Sequence, residues 1–256
     1  MKKETSTIKN GQLNGKTAFV TGGTRGMGEA IVKRLTSEGA RVIFTHSGNN
    51  SEKAARVVDE VEKAGGEAIE MVADNENAES VTAAVRKAIS EHGKIDILVN
   101  NAGIFQYKLT GESTLEEFDR MMSVNVRAVF LIIREAAAHI SEGGRVITIG
   151  SNVADHVSDP HMGLYGMSKS ALIGLNKGMA RELGPRNITV NLVQPGPIDT
   201  DMNPANSNMA QEIKKYIPLS RYGKTEEIAG LVSFLTGPDS RFITGTAITI
   251  DGGFNS

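Results

Sequence analysis

An unbroken alternation of short β-rich runs with amphipathic helical runs narrows the fold of this chain more than any other feature. "KTAFVTGG" reads as a strand entering a glycine turn, "GEAIVKRLTSEG" as a helix stopped by Gly39, and "ARVIFTH" as a second strand. "SEKAARVVDEVEKAGG" is a helix with a serine start and a glycine stop, followed by the strand "EAIEMVAD", the helix "NAESVTAAVRKAISEHG" and the nearly all-apolar strand "IDILVNNAG". The second half repeats the pattern. "TLEEFDRMMSVNVRAVFLIIREAAAHI" carries helical periodicity, and "GRVITIGS", "ITVNLVQPG" and "GTAITIDGG" are strands, separated by the helices "GLYGMSKSALIGLNKGMARELGP" and "EEIAGLVSFLTG". Seven strands alternating with helices predict an α/β fold, a doubly wound seven-stranded parallel sheet with helices on both faces. No linker or repeat divides the chain. The expectation is a polar tail over 1–12 and a single domain over 13–256.

Charge and composition exclude several functions. Lys plus Arg number 28 against 30 for Asp plus Glu, a net charge of −2, which offers no basic face for nucleic acid. There are no cysteines, so disulfides, thiol catalysis and Cys-ligated zinc are ruled out. The start "MKKETSTIKNGQLNGK" has no apolar core of a secretory leader. The run "AVFLII" is too short to span a bilayer. A cytoplasmic protein without membrane contact is expected.

The turn "TGGTRGMG" (21–28) lies between the first strand and the first helix, with Gly22, Gly26 and Gly28 spaced G-x-x-x-G-x-G. Glycines there let the backbone approach a pyrophosphate whose charge sits at the helix N-terminus; a tight turn with no ligand is the alternative. A site for NAD usually places an acid about twenty residues on, to hold the ribose 2′-hydroxyl. Here "FTHSGNN" supplies none. Arg25 adds a cation, and His46, Ser47 and Asn49 can donate hydrogen bonds to a 2′-phosphate. The expected cofactor is therefore NADP(H).

Tyr165 and Lys169 in "LYGMSKS" lie one helical turn apart and share a face. A nearby ammonium favours phenolate, which would make the phenol a better proton donor to a nascent alkoxide. Ser151 ends the strand "GRVITIG", at the edge where open α/β sheets bind ligands, and can polarise a carbonyl. Taken alone, a Y-x-x-x-K pair is also an ordinary surface pair.

These elements together resemble the short-chain dehydrogenase/reductase family over residues 15–256. T-G-x-x-x-G-x-G stands at 21–28, N-N-A-G at 100–103, Asn125 in "MSVNV", then Ser151, Tyr165, Lys169, and a P-G element at Pro195 and Gly196. The resemblance implies a Rossmann fold and a carbonyl/alcohol oxidoreductase acting on a small molecule. It implies Tyr165 as proton donor and acceptor, Lys169 as the residue that lowers its pKa and holds the nicotinamide ribose, Ser151 as carbonyl binder and Asn125 as anchor of a proton-feeding water chain. Gly22, Thr24, Arg25, Gly26, Met27 and Gly28 would hold the phosphates. Asn101, Ala102 and Gly103 would lie beneath the adenosine half, Asp74 with Asn75 would contact adenine, and Ile198 with Thr200 would contact the carboxamide and phosphate. His46 and Ser47 complete the set. No metal is expected: Asp155, His156, Asp159 and His161 share a loop with Pro160 that fixes no ligand geometry. The spacing of fourteen from Ser151 to Tyr165, where many members have thirteen, puts substrate shape in question. Residues 198–220 are expected to form a mobile lid. Relatives are dimers or tetramers, and a homotetramer is expected. "VQPGPIDTDMNPAN" is also similar to a bacterial subgroup associated with cyclic-di-GMP binding, which raises a second reading: a nucleotide-binding regulator on the same scaffold.

Overall fold

In a computed structural model, which describes residues 11–256, the chain forms one parallel sheet of seven strands. The strands are β1 (Thr17–Val20), β2 (Arg41–His46), β3 (Glu67–Val72), β4 (Ile95–Asn100), β5 (Ile140–Ile149), β6 (Thr189–Pro195) and β7 (Ala247–Ile250). Their spatial order is β3-β2-β1-β4-β5-β6-β7. Strand order reverses beside β1, so the crevice between the C-terminal ends of β1 and β4 is where such sheets bind ligands. The seven-stranded, doubly wound arrangement expected from the alternation is the one found.

Helices α1 (Gly26–Ser37), α2 (Ser51–Lys63), α3 (Ala78–His92), α4 (Leu115–Met122), α5 (Ala128–Ala136), α6 (Gly163–Leu183), α7 (Asn208–Lys214) and α8 (Thr225–Thr236) complete the fold. Side chains alternate across the sheet, so each strand feeds two cores. Val42 and Phe44 join Ile31, Leu35, Val57, Val232 and Leu235 under α1, α2 and α8. Phe19 and Ile43 join Val85, Ile132, Leu172 and Leu183 under α3, α5 and α6. Burying a side chain such as Leu35 or Ile132 contributes about 1.5–3 kcal/mol, which is why the sheet is sealed on both faces.

The segment read as one helix from "TLEEF" to "AAAHI" is broken. Thr114 and Glu117 close a capping box that starts α4. Residues Ser123–Arg127 then form a π-helical turn before α5 begins. One residue too many for α-helical pitch re-aims the side chains within it, and Asn125 sits there. Of the tail expected over 1–12, residues 1–10 lie outside the described residues. Gln12 is held by Glu38 at 2.7 Å, and Leu13 is already buried. The 198–220 segment contains α7, whose Ala210 joins Ile217 and Tyr222 in a small core that Ile213 and Phe254 help to cover.

Candidate active site

The crevice is built first by a weld between β1 and β4. Thr21 Oγ1 accepts hydrogen bonds from the backbone N–H of Asn101 (2.9 Å) and Ala102 (3.0 Å). Asn101 Nδ2 donates to the carbonyls of Thr21 (2.9 Å) and Gly22 (3.1 Å). The glycine turn is thereby fixed on the N-N-A-G segment. Gly22 has a φ of +71°, in the left-handed region that disfavours side chains. A Cβ on Gly28 would lie 2.0 Å from the Gly22 carbonyl and 2.5 Å from Asn101 Nδ2, so only glycine lets α1 start this close to the turn.

Around this turn the expected residues are sorted by the structure. Arg25 is the exposed N-cap of α1, and no carboxylate pairs with it among the described residues. Thr24 is buried beside it, and Met27 packs against the α1 core. Thr200 lies against the turn, its Cγ2 3.4 Å from where a Gly26 Cβ would stand. Gly196 donates its N–H to the Ile250 carbonyl at 3.0 Å, just beyond Pro195 at the end of β6. Ile198 is buried in the core, and its backbone bridges to Gly223. Asp74 is exposed, with Oδ1 accepting from Glu76 N at 2.9 Å, and Asn75 is half-buried beside it.

His46 does not aim at the turn as the 2′-phosphate reading needs. Its ring is buried, with Nδ1 2.8 Å from the Ser47 carbonyl and Nε2 3.2 Å from Glu70 Oε2. Burial draws the imidazole towards the nearest acid on β3. It also lines a cavity of about 460 Å³ with Glu70, Val72 and Lys87, at the β3 edge and apart from the catalytic cleft. Ser47 Oγ accepts from Asn50 Nδ2 at 2.8 Å.

On the other side of the crevice, α6 brings Tyr165 and Lys169 together. Lys169 is buried (5% exposed), and its Nζ lies 5.8 Å from the Tyr165 ring centroid. Nζ donates to the Ile149 carbonyl at 3.1 Å. An ammonium has three N–H donors, so two remain without a protein partner among the described residues. Gly103 is pressed between this pair and the π-helical turn: a Cβ there would be 3.3 Å from both Lys169 Nζ and Asn125 Oδ1. Asn125 is 1% exposed. Its Oδ1 accepts from Ile104 N (2.9 Å), and its Nδ2 donates to Ile104 O (3.0 Å) and Ser168 Oγ (3.0 Å). Ser168 Oγ donates to the Tyr165 carbonyl at 2.7 Å. The amide thus clasps the exit of β4 to the turn of α6 that carries the phenol.

Burial pushes the Lys169 ammonium down to about 8. Burial pushes the Tyr165 phenol up, partly countered by a hydrogen bond with Ser151. The helical spacing suggested a lowered phenol; the direction here is the reverse. Low polarity disfavours phenolate and ammonium alike, and the lysine's one protein hydrogen bond goes to Ile149 instead of the phenol oxygen. Ser151 is buried at the end of β5, its Oγ accepting from Val153 N at 3.3 Å.

Some residues of the cleft were not evident from the sequence. Phe105 stands edge-on to Tyr165, ring centroids 5.0 Å apart, and is 42% exposed. Tyr107 stacks on His161 at 4.6 Å and donates to Asp159 Oδ2 at 2.8 Å. Asp159 Oδ1 also takes the His161 backbone N–H and faces Nδ1 at 2.8 Å, so these loop residues are spent on one another. Among the described residues no group of three or more potential ligands is placed to hold a metal ion.

A family model described as enoyl-(acyl carrier protein) reductase matches residues 22–255. A short-chain dehydrogenase/reductase from Serratia marcescens is 52% identical, covering 96% of this chain and 100% of that one, with a TM-score of 0.94. A short-chain dehydrogenase from Burkholderia cenocepacia, crystallised with NADP, is 47% identical over 96% of this chain and 100% of that one, with a TM-score of 0.93. The cyclic-di-GMP-binding biofilm dispersal mediator protein of Escherichia coli is 42% identical over 246 residues, 96% of this chain and 100% of that protein. With the motifs, the sheet order and these likenesses in agreement, the chain belongs to the short-chain dehydrogenase/reductase family.

Proposed function

We propose that the chain is an NADPH-dependent reductase that converts a ketone or aldehyde to an alcohol. The observation that carries this reading is the gathering of Tyr165, Lys169 and Ser151 beside a crevice floored by glycine. The crevice suits a dinucleotide: Gly22 and Gly28 let the turn and the start of α1 pack closely on the N-N-A-G segment, and buried Lys169 keeps two donors without a protein partner among the described residues. Arg25, which no carboxylate pairs among the described residues, and the lack of any acid from Phe44 to Asn50 favour NADP(H), the cofactor found with the Burkholderia relative. Arg25 and the α1 N-terminus would hold the phosphates, and Lys169 would hold the nicotinamide ribose. The bound nicotinamide would supply the hydride.

The chain's own groups do the rest. Ser151 Oγ hydrogen-bonds the carbonyl oxygen and draws charge onto it. Tyr165, kept protonated by burial at neutral pH, gives its phenolic proton to that oxygen as the alkoxide forms. Lys169, largely protonated below pH 8, offsets the phenolate charge left behind. Asn125 holds α6 in place so that these three converge. NADPH oxidation with a panel of carbonyl substrates, for wild type and Tyr165→Phe, tests the assignment. A loss of at least about 10³-fold in kcat is expected, general acid catalysis supplying 10²–10⁴; equal rates reject it.

A second reading rests on the name of the Escherichia coli relative: a nucleotide-binding regulator retaining the reductase scaffold. Calorimetry with cyclic-di-GMP, alone and against NADPH, decides it, and absence of heat in both removes it. The homotetramer expected for the family is supported by exposed Phe118, Phe130 and Met167 on α4, α5 and α6, by exposed Phe234 on α8 and by exposed Phe242 in the segment before β7. Sedimentation equilibrium checks it. No helix among the described residues is long and apolar enough to cross a membrane.

A further inference from the structure

The segment after β7 makes three contacts that the reductase mechanism does not use. Asp251 curls it: Oδ1 accepts from Gly253 N and Oδ2 from Asn255 N, each at 2.9 Å. The inside of the curl lies on the Pro195 and Gly196 element, for a Gly196 Cβ would stand 2.4 Å from Asp251 Cβ. Its outside meets the end of the 198–220 segment. Leu219 N donates to Gly252 O at 3.3 Å, Cβ atoms on Gly252 and Gly253 would strike Ile217 and Pro218, and Phe254 packs on Ile217 and Tyr222.

At the tip, Asn255 joins the residue next to Ser151. Asn152 Nδ2 donates to Asn255 Oδ1 at 3.1 Å, and Asn255 Nδ2 donates to the Asn152 carbonyl at 2.8 Å. The Asn255 amide thus bonds both the side chain and the backbone of Asn152. That carbonyl also accepts from Asp155 N (3.1 Å) and His156 N (3.2 Å), so it anchors the turn on which Ser151 sits. Asn152 is 4% exposed, and its amide is satisfied only by Asn255 among the described residues. Ser151 is tied to that same turn: its carbonyl accepts from Ala154 N at 3.0 Å, and its Oγ accepts from Val153 N at a long 3.3 Å and meets the phenol of Tyr165. Its placement therefore depends on the turn that Asn152 and Asn255 hold.

We infer that Asn255 is a positioning residue for Ser151, and that the 251–255 curl ties the placement of the carbonyl-binding hydroxyl to the seat of the 198–220 segment. The inference rests on the reductase reading. When that segment shifts, Ile217 and Leu219 move the curl, and Asn255 passes the movement to Asn152. A shift of order 1 Å at a group that must meet a reacting oxygen costs up to about 100-fold in rate, and a loosened clasp about 10-fold.

The test is a double-mutant cycle on the full chain with NADPH and the fastest carbonyl substrate of the panel: wild type, Asn255→Ala, Ser151→Ala and both. Asn255→Ala is expected to lower kcat about 10-fold with the KM for NADPH unchanged, because Asn255 hydrogen-bonds only to Asn152 and Asp251 among the described residues. In the Ser151→Ala background the same change should add less than about 2-fold, since the group being positioned is gone. An unchanged kcat in Asn255→Ala, an equal loss in both backgrounds, or an equal rise in NADPH KM overturns the inference. Should Asn255→Ala fail to fold, Asn152→Ala removes only the Nδ2–Oδ1 half of the pair. A loss of about 3-fold is then expected, and no loss overturns it. Full activity in Ser151→Ala sinks the reductase assignment and the inference with it. A costly Ser151→Ala beside a silent Asn255→Ala sinks the inference alone.

Discussion

Replacing Lys169 with methionine should make the protein more stable at neutral pH while abolishing turnover. The side chain is 5% exposed and its ammonium is pushed from an ordinary 10.5 to about 8 by burial. A gap of roughly 2.5 units corresponds to about 3 kcal/mol of penalty for holding the charged form in the folded state. The sign follows from proton counts. Below pH 8 both folded and unfolded chains carry the proton, and the folded chain bears the whole penalty. Between about 8 and 10.5 the unfolded chain keeps a proton that the folded one has lost, so wild-type stability climbs with pH; above 10.5 the penalty is gone. Methionine fills a similar volume with no charge, and loses the Nζ–Ile149 bond, a contribution of about 1.5–3 kcal/mol for a charged donor. The net gain at pH 7 is on the order of 1 kcal/mol. The variant's advantage should then shrink, and reverse, as pH rises to 10.5. Urea unfolding of wild type and Lys169→Met at pH 7, 9 and 10.5, without added nucleotide, measures this. A stability difference that stays flat over that range would show that no buried ammonium titrates there. A variant already much less stable at pH 7 would show that the Ile149 bond outweighs the burial penalty.

Arg25→Ala should reduce NADPH affinity about 10- to 100-fold and NADH affinity little, measured by fluorescence titration; an unchanged ratio removes Arg25 from the 2′-phosphate site. Asn125→Ala leaves both backbone groups of Ile104 and the Ser168 hydroxyl short of a partner, and should cost about 2–4 kcal/mol in urea unfolding and lower kcat as Tyr165 drifts; wild-type stability would mean the clasp is not formed. Gly28→Ala forces a Cβ to 2.0 Å from the Gly22 carbonyl, so the turn must open; NADPH affinity should fall at least about 100-fold, and retained affinity would refute the close packing of α1 on the turn.

Much of the fold was legible because strand–helix alternation is local, and so were the catalytic pair and the glycine turn, whose members lie within eight residues of each other. What the sequence hid is non-local or directional. A π-helical turn differs from an α-helix by one residue of register, which the apolar periodicity from Leu115 to Ala136 does not resolve. The Thr21–Asn101 weld joins residues 80 apart, in two motifs whose spacing does not show that they bond, and the Asn152–Asn255 pair joins residues 103 apart with no motif at all. The His46 side chain was placed on a phosphate by its position at the end of β2, but burial against Glu70 turned it elsewhere. For Tyr165 the spacing gave the neighbour correctly and the balance of forces wrongly, because depth in the protein cannot be read from a four-residue interval.

The pairing of β1 with β4 has a consequence for biosynthesis. Val20 lies beside Val99, and the turn that follows β1 has no floor until Asn101 and Ala102 arrive. A nascent chain must therefore extend through Ala102 before any nucleotide can seize it, and until then one edge of β1 stays open to other strands. Ligand can rescue a damaged finished fold by mass action, but it has nothing to grip until the N-N-A-G segment has been made.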